Sequence, residues 1–189
     1  MEPRRPEHLD EIAQLCLQAV AQAGLGHLIS VGGAVGLLHY LDHRPTHDVD
    51  AWWSSQTSAD DRERLVGVLE KALSPLGEVR QQSWGDVLSI DLQREGKTVF
   101  NFQIARRSAQ LRPTSAAPWV EVQLDSLDDL LASKMVALVE RGAPRDFRDI
   151  YAACQADVST AEKCWQLWRR RQELSGSDTD LHRARLAVQ

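Results

Sequence analysis

Cysteine is scarce in this chain, and the three it has (Cys16, Cys154 and Cys164) are widely separated, without a C-x-x-C pair. A disulfide framework and a thiolate zinc site are excluded on that ground, which leaves reduced residues buried in a core. Also missing is any apolar run near the roughly 18 residues that a membrane span needs. The first residues are basic (Arg4, Arg5), but the next segment is amphipathic rather than a hydrophobic signal core, which fits a cytoplasmic protein. Positive charge is short as well: 22 Lys and Arg stand against 27 Asp and Glu, a net charge of −5. A field of that sign argues against broad non-specific nucleic-acid binding. Arg169-Arg170-Arg171 and Arg183 with Arg185 are local basic clusters near the C-terminus. Internal repeats and low-complexity tracts are absent. What is there, 189 residues of which 43% are apolar, suffices for one full core with a small helical annex.

Periodicity gives the element order. Apolar positions at helical spacing (Ile12, Leu15, Cys16, Ala19, Val20) predict a helix over 8–23, stopped by Gly24 and Gly26. A short buried strand comes next at 27–31, then the Gly32-Gly33 turn, a short helix over 34–41, and a loop around Pro45. Residues 48–53 alternate, with Val49, Ala51 and Trp53 on one face and Asp48, Asp50 and Trp52 on the other. Ser58-Ala59-Asp60-Asp61 is a capping box opening a helix to about residue 73. Beyond it lie a weak strand at 78–82 and a hairpin of 87–93 with 98–104. Residues 106–118 read as loop and 119–122 as a last strand. From Ser126 the chain is helical: a second capped helix to about 140 ended by Gly142, one from Pro144 to about 153, and one capped by Ser159 or Thr160 to about 173. Residues 175–180 are polar and end the ordered part, with fraying beyond. The expected architecture is α/β, a small mixed sheet flanked by helices over 1–124, a helical C-terminal part over 125–174 and a polar tail over 175–189.

Within that frame, the Gly32-Gly33 turn after an apolar strand, and the Asp48-Val49-Asp50 triplet beyond it, are the features that carry chemistry. Glycines let backbone N–H groups approach a phosphate closely. Carboxylates at i and i+2 on a strand point to one face and can hold divalent cations together. Two such charges about 4 Å apart repel by roughly 4 kcal/mol at an effective dielectric of 20, so the pair wants a cation. The combination points to phosphoryl transfer of the nucleotidyltransferase type, in which bound metal neutralises a triphosphate and positions it in line.

Val31-Gly32-Gly33-Ala34 through Arg44-Pro45-Thr46-His47-Asp48-Val49-Asp50 resembles the signature of the AbiEii-type and related minimal nucleotidyltransferases, of the DNA polymerase beta-like superfamily. A second stretch is similar too: a helix carrying Lys134 and Arg141, then Arg145-Asp146-Phe147-Arg148-Asp149-Ile150. The resemblance covers residues 28–153 and implies a nucleotidyltransferase fold. It implies that Gly32 and Gly33 cradle the nucleotide phosphates with Arg44 and Thr46 beside them, and that Asp48 and Asp50 bind Mg2+ or Mn2+. It further implies that Lys134 contacts the triphosphate, and that Arg145 and Asp146 position substrate or brace the lysine. The implied reaction moves a nucleotide from an NTP to an acceptor (an RNA end, a protein or a small molecule), often as the toxin beside an antitoxin partner.

Two departures stand out. Ala34 replaces the hydroxyl residue that often comes after the glycine pair, leaving backbone donors alone. The family's third carboxylate, from a neighbouring strand, is also missing, since the 98–104 strand offers the neutral Asn101 and Gln103. Asp91 substitutes for it as a third catalytic carboxylate if its strand lies beside the Asp48–Asp50 strand, and is otherwise an edge residue. Without it, a degenerate protein that binds nucleotide without turnover is the rival, alongside an antibiotic-modifying transferase. The charges at Lys134, Arg141 and Asp149 have a plainer reading as an ion-pair network between two helices. His39, His43 and His47 read as surface histidines, His47 within reach of a phosphate, and Trp52 as core or rim unless it stacks on a base.

Overall fold

The computed structural model describes residues 1–188. It is mixed α/β and divides into two compact units. A sheet unit holds residues 2–107 and 114–124; a helical unit holds residues 108–113 and those from 125 onward, with residue 1.

The sheet unit contains α1 (Glu11–Gln22), β1 (Ile29–Val31), α2 (Gly33–Leu38), β2 (Asp48–Trp53), α3 (Ala59–Leu73), β3 (Glu78–Trp84), β4 (Val87–Arg94), β5 (Lys97–Ala105), β6 (Ser115–Ala116) and β7 (Gln123–Leu124). Its seven strands lie in the order β3-β4-β5-β2-β1-β7-β6. The β2–β5 and β1–β7 pairs are parallel and the others antiparallel, so the sheet is mixed. Side chains from alternate positions, among them Val49, Ala51, Ile90, Leu92, Phe100, Phe102 and Ile104, join Leu17, Val20, Leu65 and Leu69 of α1 and α3 in one core. Each of the larger ones contributes about 1.5–3 kcal/mol by leaving water. The caps that bound the helices are local: the Asp10 carboxylate accepts from the N–H groups of Ile12 and Ala13, and Ser58 and Asp61 close the capping box of α3. Cys16 lies inside this core, where burial pushes its thiol up to about 12.

The last strand falls later than the sequence predicts. Residues 119–122 form a turn, because the Ala117 N–H donates to the Val122 carbonyl (2.9 Å) and closes a hairpin in which β6 pairs with β7. Trp119 is turned instead onto His39, donating from Nε1 to Nε2 at 3.0 Å. His39 is therefore a buried residue, 2% exposed, and not a surface histidine.

The helical unit contains α4 (Leu127–Arg141), α5 (Pro144–Gln155), α6 (Ala161–Ser175) and α7 (Leu181–Ala187). Ser126 caps α4 and Gly142 ends it at φ 59°, a left-handed conformation that glycine adopts without strain. Thr160, rather than Ser159, caps α6. Residues expected to fray form α7, because Asp180 accepts from the N–H groups of His182 and Arg183. Segment 108–113 belongs here for a visible reason. Buried Asp129 accepts from the Leu111 N–H (2.7 Å), the Arg112 N–H (3.0 Å) and Ser126 Oγ (2.7 Å).

Candidate active site

Strand β2 alternates as its sequence requires: Asp48 is exposed, Asp50 and Trp52 are half-buried, and Val49, Ala51 and Trp53 are in the core. Both carboxylates therefore share the face opposite the core. Antiparallel pairing of β1 with β2 brings the glycine turn to the same place, and the Gly32 N–H donates to the Asp50 carbonyl at 2.8 Å. Gly33 sits at φ 55° directly against the Asp50 side chain. A Cβ there would overlap the carboxylate oxygen Oδ2 and come within 2.7 Å of Cγ. Two properties thus demand glycine at this position: a left-handed backbone and the lack of room for a side chain. Elbow and carboxylate form one packed unit.

Across the sheet, β5 runs parallel to β2 and places Asn101 opposite Asp48 and Gln103 opposite Asp50. On the far side of β5, β4 sets Asp91 opposite Asn101 and Ser89 opposite Gln103. The condition for Asp91 is thereby not met: its strand is not the neighbour of β2, and it lies two strand spacings, about 10 Å, from the Asp48 backbone. Asn101 stands between them, its Nδ2 donating to Asp91 Oδ1 at 2.6 Å and to Ser89 Oγ.

One neighbour is not legible in the sequence. Arg107, two residues beyond the end of β5, lays its guanidinium over the Trp52 ring (5.6 Å to the centroid) and donates from Nη2 to Ser30 Oγ at 2.7 Å. Ser30 pairs with Trp52 in the β1–β2 register, so the three form a cluster on the carboxylate face, with a cation on the indole. A loop arginine carries no periodicity, and the only available signal is the Arg106-Arg107 pair after an alternating strand.

The remaining residues of the first motif are placed variously. Thr46 is buried and pairs with Leu9 in an isolated parallel bridge. Arg44 donates to the Pro45 carbonyl at 3.2 Å. His47 lies 3.1 Å from Asp10, the cap of α1.

The second motif forms its own cluster inside the helical unit. Lys134 of α4, 7% exposed, extends Nζ to within 2.7 Å of Asp149 Oδ2 and 3.3 Å of Asp146 Oδ1. Arg141 donates from Nε to Asp146 Oδ2 at 2.9 Å. Both carboxylates are fully buried on α5, and Arg145 beside them is exposed. Asp146 has the geometry of a brace for the lysine, and the two charges of each sign balance.

Among the described residues, no group of three or more His, Cys, Asp or Glu side chains could hold a metal by itself. Asp48 and Asp50 remain a pair of hard oxygen donors on an accessible face. Such a pair suits Mg2+, which keeps several waters and takes one or two carboxylates together with substrate phosphates, and it does not suit a closed structural zinc site.

A family model described as nucleotidyl transferase AbiEii toxin, type IV toxin-antitoxin system, matches residues 16–187. No curated protein matches the chain. Among solved structures, an antigenic nucleotidyltransferase-like protein from Paracoccidioides brasiliensis is similar, with 16% identity, 98% of this chain and 95% of that one covered, and a TM-score of 0.48.

Proposed function

Because this chain belongs to the AbiEii nucleotidyltransferase toxin family, we propose that it transfers a nucleotide from an NTP to an acceptor, with Asp48 and Asp50 holding Mg2+ or Mn2+. The observation that carries this reading is the contact of Gly33 with Asp50, where any side chain on the glycine elbow would collide with the carboxylate. The bound cation would neutralise charge on the triphosphate as the bond to the leaving pyrophosphate breaks. The chain's own part is to present Asp48 and Asp50 on one strand face, fix Asp50 against the elbow, and leave the turn's backbone close to the phosphates. Lys134 is read as the cation that meets the triphosphate, on the strength of the second motif. In its brace of two buried carboxylates it is a fixed charge, not a mobile one. The acceptor is an RNA end, a protein or a small molecule, and an antitoxin protein is the expected partner.

A second reading has a specific observation behind it. The strand beside β2 offers only Asn101 and Gln103, so no protein carboxylate stands ready in β5 to take the proton of an attacking hydroxyl. A protein that binds NTP and metal without turnover fits that composition. Incubating the full chain with each radiolabelled NTP and cell RNA or protein, with Asp48→Ala as control, separates the two. Label transferred by the wild type and not by the variant supports catalysis. Metal-dependent NTP binding without transfer supports the binding protein.

A further inference from the structure

The neutral residue at the place where a third carboxylate is expected is held in a defined orientation. Asp91 is an acceptor only, so the amide of Asn101 must turn its nitrogen toward β4. The two Nδ2 contacts, to Asp91 Oδ1 and to Ser89 Oγ, engage both of its N–H donors on that side. The amide is planar, and its oxygen consequently faces away from β4, toward the β2 side of β5. There the parallel register sets Asn101 opposite Asp48, with backbones about 4.8 Å apart. What Asn101 offers Asp48 is an acceptor beside an acceptor. Two such oxygens repel one another and are drawn together by a cation between them.

We propose that Asn101 supplies a third, uncharged oxygen donor to the cation site of Asp48 and Asp50, and that Asp91 and Ser89 are positioning residues that fix its amide. This rests on the reading of Asp48 and Asp50 as cation ligands. The donor set then carries two negative charges rather than three, and the apo protein holds its cation loosely until a triphosphate adds further oxygens. Asp91 acts through Asn101 and does not touch the cation.

Titration of the full chain with Mn2+, followed by its electron paramagnetic resonance signal with and without a non-hydrolysable NTP analogue, tests this directly. Wild type binds Mn2+ and Asp48→Ala loses it. Asn101→Ala weakens binding by about tenfold, and Asp91→Asn, which frees the amide to flip, by a smaller factor. The decisive variant exchanges the pair, Asp91→Asn with Asn101→Asp. It keeps a hydrogen bond between β4 and β5 while putting a charged donor opposite Asp48, so Mn2+ binds about tenfold more tightly than in wild type. If Asn101 serves only to tie two strands together, the exchange keeps the melting temperature and leaves Mn2+ affinity as it was. That result, with Asp48→Ala still deficient, overturns the proposal and spares the cation site. Failure of the wild type to bind Mn2+ under either condition overturns both.

Discussion

Two pairs of aspartates carry the motifs of this chain, and they are built in opposite ways. Asp48 and Asp50 stand two apart on a strand, one exposed and one half-buried, against a glycine elbow. Asp146 and Asp149 stand three apart on a helix, both at 0% exposure, and the chain supplies Lys134 and Arg141 as their counter-ions. A buried carboxylate without a partner is costly, so the helical pair is inseparable from its cations. The strand pair is more exposed and meets water. The same residue type thus serves architecture in one unit and is open to chemistry in the other.

The helical pair depends most on Lys134. Lys134→Met removes the ammonium that the two buried carboxylates share and should cost about 3–5 kcal/mol, lowering the melting temperature by on the order of 10 °C. An unchanged melting curve with lost nucleotide transfer would instead make Lys134 a substrate-facing group with little structural weight. Next in size is Asp50→Asn, which should reduce transfer by about 10²–10³-fold while the melting temperature stays near that of wild type. Retained turnover rejects the assigned role. Gly33→Ala has an intermediate effect on both readouts. The left-handed backbone adds roughly 1–2 kcal/mol of strain, and the new Cβ displaces the Asp50 carboxylate, so stability and transfer fall together.

The smallest effect sharpens the contrast through pH. Burial holds His39 below its usual 6.5, against the opposing pull of hydrogen bonds to the Val35 and Gly36 carbonyls. The folded state therefore prefers the neutral ring. This contribution is complete above 6.5 and is lost as the pH falls through that value toward the lower folded one. Urea midpoints at pH 7.5 and 5.5 should differ more in wild type than in His39→Gln, and equal differences would show that His39 does not set this pH dependence.

Much of this was legible because local rules and the fold agree. The alternation in β2, the capping box at Ser58, the Ser126 cap, and Gly142 with Pro144 each fix a boundary by chemistry within a few residues. The expected capping box at Ser126 is only half formed, because the Asp129 carboxylate accepts from Leu111 and Arg112 instead of the Ser126 N–H. What escaped depends on neighbours chosen over long distances. The placement of β5 between β4 and β2 decides what Asp91 can reach, and nothing within 87–93 encodes it. The strand at Gln123–Leu124 lies beyond the predicted one because Trp119 answers to His39, 80 residues earlier, rather than to its own alternation. Arg107 settles on Trp52 from a loop, where no period exists to read.

The route of the backbone between the two units has a practical consequence. It leaves the sheet unit after residue 107, returns at 114 and leaves again after 124. Neither unit is a single stretch of gene. Expressing residues 1–124 alone would strand Leu111 and Arg112 without the Asp129 carboxylate, and a fragment starting at 125 would leave that carboxylate without their backbone donors. On the ribosome, the last two strands emerge only after the segment destined for the Asp129 carboxylate has been made. The halves should therefore mature together, and mixing separately produced pieces is a poor route to an active protein.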